Sequence, residues 1–183
     1  MKMKYALATA FSLMSFLPCA IAQNSWQAKL EQELPLLGHR NWIVIVDSAY
    51  PLQTSPGVET IETNSDLFQV VQVVLQELDR VPHVEPVVHT DRELRFLQEQ
   101  EAPGVTAYRE QLKTMVGNRA ASSQPHLDLI NTLAETGKTF HILVLKTTAT
   151  IPYSSVFLEL DCKYWKPAAE KDLRDRMLDG RKR

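Results

Sequence analysis

Gly38 to Pro51, GHRNWIVIVDSAYP, sets five consecutive apolar residues between two polar ends. Four of the five, Ile43 to Val46, are β-branched, and the run has no polar alternation. That pattern predicts a strand covered on both faces, the condition of a parallel sheet packed between helices. His39 stands just before the run and Asp47 just after it. A rigid strand would hold these two polar groups at its opposite ends. Read alone, the segment also fits a helix-stop glycine, a loop histidine and an aspartate capping a turn.

Upstream, Trp26, Leu30, Leu34 and Leu37 recur at helical spacing, and Gly38 is a natural stop. Downstream, Pro51 to Thr63 contains Pro56-Gly57 and is expected to be a loop. Asn64 or Ser65 is expected to cap a helix from Asp66 to Leu78 that is apolar on most of its circumference. Val84 to His89 reads as a strand near a sheet edge, because Pro86 interrupts it. Polar helical stretches follow at Arg92 to Gln100 and Thr106 to Val116, then a small polar loop from Gly117 to Gln124. Leu127 to Glu135 is helical, Phe140 to Leu145 and Val156 to Leu160 are strands, and a charged helix runs from about Lys166 to Leu178. Strands alternating with helices predict an α/β fold, a mainly parallel sheet covered by helices, in a single domain over residues 23–183.

The first 22 residues read as an address. Met1 to Lys4 carries two lysines, an apolar run extends from Tyr5 to Pro18, and Ala20-Ile21-Ala22 offers small residues for cleavage before Gln23. The apolar run is shorter than the roughly 20 residues a membrane span needs. Phe-Leu-Pro before Cys19 lacks the small residue of a lipoprotein site. The expected product is a periplasmic or secreted protein with no membrane attachment after cleavage. Only Cys162 would then remain, so no internal disulfide can form. A net charge of −2 argues against nucleic acid as a partner.

Most catalytic signatures are missing. There is no GxGxxG, no GxxxxGK[ST], no GxSxG and no paired-cysteine metal site. His83, Glu85 and His89 alternate as zinc ligands on one strand face could. His83 and His89 would lie about 20 Å apart, too far for one ion. They are expected to be surface histidines.

The segment from Gly38 resembles the opening motif of the RbsD/FucU family, the D-ribose pyranases and L-fucose mutarotases. There a Gly-His pair is followed eight residues after the histidine by Asp and four later by Pro, as are Gly38-His39, Asp47 and Pro51 here. Lys146 and Pro152-Tyr153-Ser154-Ser155 resemble the family's basic residue and the Pro-Tyr-Ala/Gly-Asn that opens its last strand. VEPVV at Val84 to Val88 and AYREQL at Ala107 to Leu112 resemble the fucose branch. His126 resembles a helix-opening histidine of the ribose branch.

The resemblance implies a monosaccharide mutarotase or pyranase with His39 as catalytic acid/base and with Asp47, His126, Tyr153 and Ser155 binding the sugar. Ser155 departs from the family's Asn and loses the amide's reach and second donor. A non-catalytic sugar-binding or assembly protein on the same scaffold is the alternative. Ring opening needs neither metal nor cofactor, and none is implied. An imidazole with an ordinary pKa of about 6.5 suits proton transfer near neutrality. An extended strand holds His39 roughly 20 Å from Asp47. One sugar could meet both only between neighbouring subunits, so the resemblance and this distance together imply a homo-oligomer with shared sites.

Overall fold

The computed structural model describes residues 26–180. The expected signal segment lies outside them, as do Arg181 to Arg183. Six strands form one sheet: β1 (Trp42–Val46), β2 (Val58–Glu62), β3 (Val84–Asp91), β4 (Ala121–Gln124), β5 (Ile142–Lys146) and β6 (Val156–Cys162). Across the sheet their order is β2-β5-β1-β6-β3-β4. β5 runs parallel to both β1 and β2, and β4 runs parallel to β3. Only β6 runs the other way, antiparallel to β1 and β3. The sheet is therefore mainly parallel, as the alternating pattern predicts.

Five α-helices accompany it: α1 (Trp26–Glu33), α2 (Leu67–Arg80), α3 (Val105–Val116), α4 (His126–Thr136) and α5 (Pro167–Gly180). All five residues of β1 are buried. Ile43 and Ile45 face a large core shared with Leu30, Val70, Val74, Leu78, Val105 and Leu112 of α1, α2 and α3. Trp42, Val44 and Val46 face a smaller one with Leu129 and Leu133 of α4. The unbroken apolar run follows from burial on both sides, since there is no wet face to ask for polar residues.

α2 buries Leu67, Val70, Val71, Val74, Leu75 and Leu78, a single stripe at helical spacing, and leaves its glutamines on the other side. Its cap is Asp66, not Asn64 or Ser65: the Asp66 carboxylate accepts from the Phe68 and Gln69 amides. Aspartate meets those free N–H groups with charge as well as geometry.

Three other local expectations fail. β2 and β4 occupy segments expected as loops, Pro51 to Thr63 and Gly117 to Gln124. Both are edge strands whose residues are at most half-buried, so neither needs an apolar pattern to be held by its neighbour. Arg92 to Gln100 forms only one 3-10 turn, Arg92–Arg95, before breaking into turns.

β3 lies one position in from the edge, near it as Pro86 leads one to expect. Val88 donates its amide to Ala120 on the β4 side, so the nitrogen of Pro86, two residues earlier, points the same way. β4 begins only at Ala121, opposite Val88, so the missing donor faces no strand.

Candidate active site

Register alone builds one polar row across the carboxyl end of the sheet. Lys146 of β5 pairs with Glu62 of β2 and Val46 of β1, and Asp91 of β3 pairs with Gln124 of β4. Extending the β6 pairings by one residue sets Ser155 between Val46 and Asp91. Directly paired residues point to the same side, so Lys146, Ser155, Asp91 and Gln124 share the α4 face with Val46.

Two more groups join from the ends of elements. α4 opens at this end of the sheet, and its first residue brings His126 Nδ1 to 3.0 Å from Asp91 Oδ1. The His126 amide donates to both Glu93 carboxylate oxygens, at 3.1 and 3.0 Å, which fixes the helix start. Tyr153 meets the His126 ring edge-on, with centroids 5.4 Å apart at 82°. Its backbone is left-handed (φ 56°), a conformation a tyrosine rarely adopts. Strain of that kind collects where a side chain must be aimed. Asp47 caps the turn after β1 by accepting from the Ala49 amide at 2.8 Å.

Burial gives this cluster unusual acidity. Asp91 is 1% exposed, and its Oδ2 has no partner among the described residues. Burial pushes its carboxyl up to about 6, opposed by the bond to His126 and reinforced by the charges of Glu93 and Asp47. Tyr50 is buried beside it and pushed up to about 12 by burial and by the charges of Asp91 and Asp47. The Tyr50 hydroxyl accepts from Gln53 at 3.1 Å and keeps its own proton to donate. Lys146 Nζ donates to the Tyr50 carbonyl at 2.9 Å, which draws that turn onto β5. A carboxyl poised to exchange a proton beside an imidazole, with a cation and phenol donors nearby, suits acid/base work on a polyhydroxylated ligand.

Four of the five residues expected at the site, Asp47, His126, Tyr153 and Ser155, thus belong to the carboxyl end. Ser155 is only 2% exposed, so it forms the floor. Tyr108, in the AYREQL segment, supports this floor from the other face by donating its hydroxyl to the Ser154 carbonyl at 2.5 Å. His39 is elsewhere. It lies exposed in the turn before β1, at the amino end, and lines a cavity of about 630 Å³ with Arg40, Asp161, Trp165 and Arg174. Within one chain the strand separates it from Asp47, as the spacing requires.

The His83, Glu85 and His89 set does not assemble. His83 Nε2 bonds the Leu37 carbonyl at 3.0 Å, and Glu85 pairs with Lys166. His89 is buried rather than on the surface. It stacks on Trp42 with centroids 5.2 Å apart, and its nitrogens meet Ser122 Oγ at 2.7 Å and Glu159 Oε2 at 3.0 Å.

Sequence reasoning missed Asp91, Tyr50 and Gln124, and took Lys146 only as part of a motif. A buried aspartate closing a strand was the available signal, and it sits just past where the strand was expected to end.

An open α/β sheet with its polar groups gathered beyond the carboxyl ends of parallel strands belongs to the class whose ligands bind at that edge. Within that class, residues 23–162 match the RbsD / FucU transport protein family, and the chain belongs to it. The solved structure of RbsD from Bacillus subtilis, complexed with D-ribose, has a TM-score of 0.52 at 18% identity, covering 72% of this chain and 90% of that one. Fucose mutarotase from Streptococcus pneumoniae, in complex with L-fucose, gives 0.49 at 17% identity, covering 72% and 89%. No curated protein matches the chain.

Proposed function

We propose that the protein is a mutarotase or pyranase for a free reducing sugar, working in an oligomer whose sites lie between subunits. The observation that carries this is the division of β1: polar groups cluster at its carboxyl end, while His39 stands exposed at the other, lining a separate cavity. A neighbouring copy would bring its His39 to the cluster formed by Asp47, Asp91, His126 and Tyr153. That imidazole takes the anomeric hydroxyl proton as the bond between the anomeric carbon and the ring oxygen breaks. The ring oxygen receives a proton in turn, from water or from the Asp91–His126 pair. The open-chain carbonyl rotates, and the steps reverse to close the other face or ring size. Nothing is oxidised and no co-reactant is consumed.

Export to the periplasm or beyond is part of the proposal. The charged and apolar leader supports it, and so does a family match that starts at Gln23, directly after the expected cleavage point. Among the described residues no helix is long and apolar enough to cross a membrane.

Saturation-transfer NMR of anomeric exchange with ribose, fucose and other free sugars tests the activity. Exchange that is fast with the native chain and lost in His39→Ala is expected. Sugar binding without exchange would instead favour a non-catalytic sugar-binding protein, the reading suggested by a buried Ser155 hydroxyl where the family's amide would reach further.

A further inference from the structure

The family match stops at Cys162, yet the chain continues into α5. This helix buries none of its residues, so core packing does not account for it. Six residues of the same segment nevertheless line the cavity that holds His39: Tyr164, Trp165, Lys166, Pro167, Glu170 and Arg174.

The wall they form is ordered by its own bonds. Glu170 accepts from the Trp165 indole at 2.8 Å through one oxygen and from Arg174 at 2.6 Å through the other. Lys166 ties the start of the segment to Glu85 on β3. Trp165 remains 41% exposed, and its only polar group is already engaged, so what it offers the cavity is a ring face. An exposed indole anchored through its nitrogen in a wet cleft suits the apolar C–H face of a sugar ring. The cations nearby do not call for an anionic ligand. Lys166 and Arg174 have carboxylate partners, and Arg40 lies over the Phe140 ring at 5.8 Å. A volume of about 630 Å³ falls in the range that takes ligands larger than a single sugar ring.

We infer that the C-terminal segment is a second sugar subsite, and that the protein takes a neutral reducing sugar of more than one ring, the reducing ring at His39 and the next on Trp165. This rests on His39 meeting the reducing carbon, as proposed above.

The three tryptophans make the test direct. Trp26 and Trp42 are 6% and 3% exposed in the core, so a ligand-dependent change in emission reports Trp165. The full mature chain is titrated with cellobiose, maltose and glucose, and with lactose and galactose, while NMR follows anomeric exchange in the same samples. A disaccharide is expected to bind more tightly than its monosaccharide. By calorimetry, since these variants lack the emitting ring, Trp165→Ala should weaken the disaccharide about tenfold more than the monosaccharide, and Trp165→Phe should restore most of that difference. Equal affinities, or equal losses for both sugars, overturn the subsite. If exchange proceeds but Trp165 variants do not discriminate, the subsite fails and the mutarotase reading stands. If disaccharides bind on Trp165 without exchange, the second-ring contact stands and the mutarotase reading fails.

Discussion

At the carboxyl end of β1, polar side chains from several elements gather around buried Asp91, whose carboxyl is pushed up to about 6 by burial. At its amino end, His39 stands on the surface beside a cavity walled by a helix that packs into no core. The first end is pre-organised within a single chain: Asp91 holds His126, Lys146 holds the Tyr50 turn, and Ser155 closes the floor. The second is open and adjustable. If the proposed site is divided in this way, the fold would fix one half, and the half that completes it would depend on assembly.

The largest effect expected from disturbing either end is at His39. His39→Ala should slow anomeric exchange by about a hundredfold or more, the scale of lost acid–base assistance. Its melting temperature should stay that of the native chain, because the side chain is exposed. Undiminished exchange would leave the open end without a role.

Mixing that variant with Asp47→Asn sharpens the comparison further. If the two ends come from different copies, equal mixing after dissociation and reassembly should restore about a quarter of the native sites. Two inactive parents that stay inactive together would place both ends in one chain, against the geometry of β1.

Asp91 gives a smaller effect with a definite sign. Its carboxyl holds a proton up to about 6 when folded, against 3.8 for the free group. The folded state therefore binds the extra proton between those values. The stability this group lends is present below that window and is lost as pH rises through it. Melting curves from pH 3 to 8 should show a fall across the window in the native chain that is reduced in Asp91→Asn. Parallel curves would mean that the carboxyl is not buried as described.

The smallest effect belongs to the amino end's ion cluster. Lys29 bridges Glu33 at 2.8 Å and Glu59 at 3.1 Å, and His141 bonds Glu33 at 3.1 Å. Most of these groups are partly exposed, so His141→Gln should cost less than about 1 kcal/mol by urea titration.

How much of this was legible depended on whether local chemistry or long-range register carried it. WIVIV announced a strand buried on both faces, and the interval from His39 to Asp47 announced that those two residues stand at its opposite ends. Both are properties of contiguous residues. β2 and β4 did not announce themselves, because an edge strand is held by backbone bonds that any sequence can make. Asp66 displaced Asn64 and Ser65 as a cap through a one-residue shift in the helix start, beyond what periodicity resolves. Asp91 was missed for a deeper reason. Its burial, its partner His126 and its place beside Ser155 arise from strands distant in sequence, and register cannot be read from any of them singly.

The reversed direction of β6 has its own consequence. To enter that strand from β5, the chain between Lys146 and Val156 must pass over the tip of β1, where the Ala149 carbonyl accepts from the Ser48 amide at 2.9 Å. This overpass carries Tyr153 and Ser155 at its far end, while Ala149 and Ile151 in its middle pack against the larger core. Its exposed positions, Thr148 and Thr150, can therefore be exchanged while every strand stays in place.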